Sequence, residues 1–180
     1  MVVDVVGSVL VAMVDICDRP TSQTAMSGSN ISTKPNYRID PVILEVVPTK
    51  SDYDSVPPKL MTREQAIANI KSVLEHGKAI YFGYHWGEDK DERFSDFWKN
   101  DNEETLWDEQ FPSPNPRWGH ALTCVGYDDT DPDPRKHYWI LLNSWGAPEK
   151  RPRGLIRMPM SLWYNDDCYW WYTFDVEWNE

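Results

Sequence analysis

The sequence is poor in cysteine and in positive charge, and each scarcity excludes something. Cys17, Cys124 and Cys168 fall at no metal-ligand spacing and build no even framework, so at most one disulfide can form and the redox compartment stays open. Lys and Arg number 18 against 29 Asp and Glu, a formal net charge of -11. A surface so acidic repels phosphate, which argues against DNA or RNA as a partner. Tryptophan is missing from the first 85 residues; all ten lie between Trp86 and Trp178. The N-terminal run VVDVVGSVLVAMV lacks a basic flank and a cleavage site, and Asp4 and Asp15 bracket its core. It reads as a buried strand or helix, neither a signal peptide nor a membrane span; for a longer parent protein an extracellular site stays open. No internal repeat and no cofactor motif is visible.

The chain of 180 residues is long enough for one domain with a real core. Residues 1–36 read as an N-terminal segment and linker, because Arg19 to Pro35 is rich in Ser, Thr, Gly, Asn and Pro. Residues 37–180 carry the fold, expected to be α+β. YRIDPVILEVV reads as an extended segment broken by Pro41, and PTKSDYDSVPPK as a loop. TREQAIANIKSVLEHG is the clearest helix. Thr62 and Gln65 form a capping box, Ala66, Ile67, Ile70, Val73 and Leu74 share a face, and Gly77 suits a left-handed C-cap. KAIYFGYHW follows as a strand. ERFSDFWKN reads as a short second helix or turn with Phe94, Phe97 and Trp98 inward.

His120 to Tyr127 and His137 to Asn143 are two strands of similar length. DDTDPDPRK between them is a hairpin connection. Its Asp129, Asp131 and Asp133 alternate as calcium ligands do, but a calcium loop's glycine and distal glutamate are missing and Pro134 intrudes. A solvated acidic turn is the reading, with no metal. In an antiparallel hairpin the start of the first strand lies beside the end of the second, so His120 and Asn143 should meet. An amide oxygen that accepts one ring N–H fixes tautomer and plane and leaves the other nitrogen to trade a proton with a nucleophile. Trp145 stands where it can keep that contact dry. His76, His85 and His137 lack such a companion and read as structural.

GHALTCVGYDD, then YWILLNSWG, then GLIRMPM resemble the C-terminal half of papain-family cysteine peptidases, most like microbial and archaeal members with long tails. The resemblance covers roughly Tyr37 to Glu180. It implies a C-terminal papain-like domain, an antiparallel sheet or partial barrel with flanking helices, acting on a peptide or protein substrate. His120 matches the catalytic histidine, with Gly119 before it. Asn143 matches the orienting asparagine, Trp145 the indole that shields the pair and Gly146 the glycine after it. Gly154, Ile156 and Arg157 resemble the closing strand. APEKRPRG stands where the family often carries a second Trp-Gly.

The nucleophile is the larger departure. The family's Gln and Gly-Ser-Cys-Trp have no match. Cys17 sits in VDICDRP, and 120 minus 17 gives 103, short of the family's roughly 130 to 150. Cys124 is four residues past His120, and Cys168 follows both site residues. SQTAMSGSNIS, with Gln23 and Ser29, imitates the motif in a region of loop composition. The chain therefore reads as one half of an active site, completed by a Cys-bearing N-terminal papain-like domain or chain. The alternative is a pseudo-peptidase serving as a binding module, with the aromatic tail SLWYNDDCYWWYTFDVEW either a stacking face or a strand closing the core.

Overall fold

The computed structural model describes residues 39–48, 60–86, 88–109, 118–162, 164 and 169–178. The readings of the N-terminal run, the linker and Cys17, of the loop after Pro48, of Trp163 and of Cys168 lie outside them.

Six strands form one sheet: β1 (Ile39–Val47), β2 (Ile80–Trp86), β3 (Trp118–Asp128), β4 (Tyr138–Asn143), β5 (Leu155–Pro159) and β6 (Tyr169–Trp178). Every neighbouring pair is antiparallel, in the order β1-β6-β2-β3-β4-β5. Among the described residues the order is open, with β1 and β5 at its ends, where the sequence allowed a sheet or a partial barrel. β1 is not broken by Pro41; it runs through that residue, opposite Val176. An edge strand has one side without a ladder, and that is where a strand tolerates a residue with no N–H.

The tail is resolved by alternation. Tyr169, Trp171 and Thr173 of β6 are buried while Trp170, Tyr172 and Phe174 are half-buried. These rings close the core: Trp171 lies 4.3 Å from Phe82 and 6.1 Å from Trp139, centroid to centroid. Period-two burial is what a strand with one core-facing side produces.

Among the described residues, two α-helices cover the core face. α1 (Arg63–Glu75) starts at the capping box: the Thr62 N–H donates to Gln65 Oε1 at 2.9 Å and the Gln65 N–H to Thr62 Oγ1 at 3.3 Å. Ala66, Ile70 and Leu74 are buried, and Ile67 and Val73 pack against the core from its margin. Gly77 follows at φ +77°, the left-handed value that ends a helix. α2 (Glu88–Asn100) is longer than expected, 13 residues, because a charged first half precedes the apolar stretch. Phe94, Phe97 and Trp98 are buried, as the sequence suggested.

One irregularity sets the faces of β3. From Asp128↔Tyr138 to Gly126↔Ile140 the ladder with β4 runs regularly; the next pair is Cys124↔Leu141, so Val125 has no counterpart. Beyond this bulge Leu122 opposes Asn143. Continued without it, the ladder would set Asn143 opposite Thr123. Side chains alternate, so a one-residue shift moves a whole segment to the other face. The bulge is what puts Asn143 on the same side of the sheet as Leu122 and His120.

Candidate active site

Asn143 closes β4, and its backbone N–H donates to Gly154 O at 3.0 Å. Across the ladder, His120 lies one step diagonally beyond Leu122. Its Nε2 stands 2.8 Å from Asn143 Oδ1. An amide oxygen only accepts, so Nε2 carries the proton and proton exchange is left to Nδ1. Asn143 is buried, at 5% exposure, and its Nδ2 finds no hydrogen-bond partner among the described residues. A buried polar group that forms one good bond in a low-dielectric pocket depends on that bond strongly.

The imidazole sits among three aromatic rings. Trp145 is closest, centroids 4.8 Å apart and planes 39° from parallel. Phe94 of α2 is at 5.9 Å and Tyr84 of β2 at 6.0 Å. Trp145 is also held edge-on by Phe94 at 5.4 Å and Trp98 at 6.3 Å. Its indole covers the His120 ring on one side and remains 39% exposed.

Three glycines have physical reasons for their positions. Gly119 is exposed, and a Cβ there would meet His85 Cδ2 at 2.7 Å. It leaves room for the His85 ring, which packs edge-on against Trp170 at 4.3 Å. Gly146 and Gly154 take φ +86° and +69°, and a Cβ on Gly154 would stand 2.8 Å from Gly146 O. The loop after Trp145 therefore closes back on itself only with glycine at both places.

The remaining histidines bond elsewhere. His137 Nε2 reaches Asp131 O at 2.6 Å and His76 Nδ1 reaches Ser72 O at 2.6 Å. Burial lowers the pKa of His85. In the acidic turn, Asp129 binds Lys71, Asp131 binds Lys136 and Asp133 binds Arg135. Cations of the chain itself answer the carboxylates that alternate like calcium ligands.

Cys124 shares the face of His120 but lies four residues along the same strand, about 13 Å at ~3.3 Å per residue. It is fully buried, with Sγ 3.7 Å from Gly126 O, and burial pushes its thiol up to about 12. Such a thiol is not a nucleophile at neutral pH. An open cavity of about 630 Å³ beyond α2, lined by residues including Arg93, Asp96, Trp107 and Glu109, does not include His120.

Phe94 and Tyr84 were not foreseen as neighbours of His120, nor Trp98 as a neighbour of Trp145. Only the inward reading of Phe94 and Trp98 pointed that way.

Residues 104–168, which hold His120, Asn143 and Trp145, match the model of the papain family cysteine protease. No curated protein matches the chain. Among solved structures, xylellain, a cysteine protease from Xylella fastidiosa, is similar at 24% identity and a TM-score of 0.39. The likeness covers 61% of this chain and 36% of that one. The family match supports a relation to papain-family cysteine proteases over the segment that carries the histidine and the asparagine.

Proposed function

We propose that residues 37–180 form the His- and Asn-bearing domain of a papain-like cysteine peptidase site. The observation that carries this reading is the 2.8 Å contact between His120 Nε2 and Asn143 Oδ1 beneath Trp145. A general base must be held in one plane and one tautomer, and an amide does this without adding charge. In this reading Nδ1 of His120 takes the proton of a cysteine thiol. The resulting thiolate attacks a peptide carbonyl, and the imidazolium then gives its proton to the leaving amine.

The thiol comes from a Cys-bearing domain or chain. Among the described residues the only cysteine is Cys124, which is buried and inert. That same observation favours the second reading, a pseudo-peptidase acting as a binding module. Reconstitution separates the two. The chain is combined, fused or in trans, with a papain-like N-terminal domain that bears the Cys, and hydrolysis of a fluorogenic peptide is followed. Activity should appear, should be lost on alkylation of the added thiol, and should fall roughly 10²- to 10⁴-fold in His120→Ala, the usual worth of a positioned base. Asn143→Ala should cost less, since the ring keeps its proton acceptor. Two halves that bind tightly and cleave nothing would decide for the pseudo-peptidase.

A further inference from the structure

The stretch APEKRPRG, where the family pattern would place a second Trp-Gly, contains a fully buried cation. Arg151 has no exposed surface. Its guanidinium donates to three backbone carbonyls: Nε to Trp98 O at 3.2 Å, Nη2 to Phe97 O at 3.2 Å and Nη1 to Leu155 O at 2.9 Å. Two of these are carbonyls of the last turn of α2, the negative end of its dipole. The same guanidinium lies over the Phe97 ring at 4.2 Å and near the Trp98 ring at 5.3 Å. Trp98 in turn meets Trp145 edge-on, and Trp145 covers His120. Lys150 Nζ to Asn100 O at 2.5 Å and the Glu103 N–H to Lys150 O at 3.1 Å fasten the same loop.

We infer that Arg151 is a positioning residue: by clamping the Trp145 loop to the C-terminal end of α2, it holds the indole over the His120–Asn143 hydrogen bond and keeps water out. A buried cation without a hydrogen-bonded carboxylate is costly for a chain that needs only a loop closed. Arg suits the place because its planar fork can serve three acceptors and stack at once, which a lysine cannot do. The inference rests on the reading of His120 and Asn143 as a functional pair, but its test needs no peptidase activity.

The test is hydrogen exchange of the His120 Nε2–H in the full chain, followed by NMR, with Asn143→Ala used to assign the signal. Trp145→Ala should speed exchange by about tenfold, the change expected when opening the bond becomes easier by one hydrogen bond's net worth. Arg151→Met, which keeps length and loses the donors, should speed it comparably, and the double variant should go little further. Arg151→Lys should fall between. Leu74→Ala, a core truncation under α1, should lower the melting temperature and leave that exchange unchanged. If Arg151→Met and Arg151→Lys lose stability but exchange as Leu74→Ala does, Arg151 is only a helix cap and the inference fails. If Arg151→Met does not fold, Arg151→Lys decides between the same two outcomes. Failure of reconstituted hydrolysis would leave this result standing, and the reverse also holds.

Discussion

The β3–β4 hairpin has two polar ends, and they are built oppositely. At the turn, Asp128, Asp129, Asp131 and Asp133 stand in or near solvent, each answered by a neighbouring donor: Thr130 and Tyr138, Lys71, Lys136 and Arg135. At the far end one uncharged contact, His120 to Asn143, is enclosed by Trp145, Phe94 and Tyr84. Exposed ion pairs are screened and individually worth about 0–1 kcal/mol. A desolvated hydrogen bond costs about 1–3 kcal/mol to break on one side. The end with four charges should therefore be the tolerant one.

Inserting one residue between Leu122 and Thr123 should break the contrast most severely. The inserted residue takes the place opposite Asn143, and Asn143 and His120 part to opposite faces, or half of β3 turns its buried residues outward. Either outcome threatens most of the ~5–15 kcal/mol that holds a domain together. The chain should lose its cooperative thermal transition, or keep it and lose the His120 Nε2–H resonance.

Asn143→Ala comes next. Removing the acceptor leaves a half-buried imidazole N–H without that bond, and urea denaturation should report a loss of about 1–3 kcal/mol. A loss below about 0.3 kcal/mol would mean that water already reaches the pair.

At the turn, Asp133→Asn should change stability by no more than about 0.5 kcal/mol, since it unmakes one exposed pair. Acid should act there through Asp128 first. The Thr130 hydroxyl, the Thr130 N–H and the Tyr138 hydroxyl hold its carboxyl down from 3.8 to about 2. A carboxylate lowered in the folded state adds stability that is complete above its unfolded value and lost as pH falls through its folded one. A small decline in melting temperature between pH 4 and about pH 2 should therefore be reduced in Asp128→Asn.

What the sequence made legible follows the same division. The capping box and five apolar positions announce α1 without tertiary help, because both signals are local. The meeting of His120 and Asn143 was legible because strand ends in a hairpin are fixed by chain connectivity. The bulge was not. ALTCVGY offers apolar or small residues to both faces, so no break of period two shows, although Cys124 and Tyr127 both pack on the core side. The passage of β1 through Pro41 was hidden too, since being an edge strand is a property of the whole sheet. The first half of α2 was missed because EDKDER has no apolar rhythm. Arg151 left no trace as a buried group: one arginine among Lys150, Arg151 and Arg153 looks like its neighbours until the carbonyls it faces are known.

The bulge at Val125 also divides the hairpin by how freely it can change length. On its turn side, residues added between Asp129 and His137 leave the pairing from Asp128 and Tyr138 onward as it is. Loop extension is entropically mild, about 0.6 kcal/mol per doubling. On its other side, a single residue inserted between Cys124 and His120 reverses the facing of the histidine. The turn is thus a place where peptide tags, or lineage-specific insertions, can accumulate, while the five residues from His120 to Cys124 have a fixed count even where their identities are free.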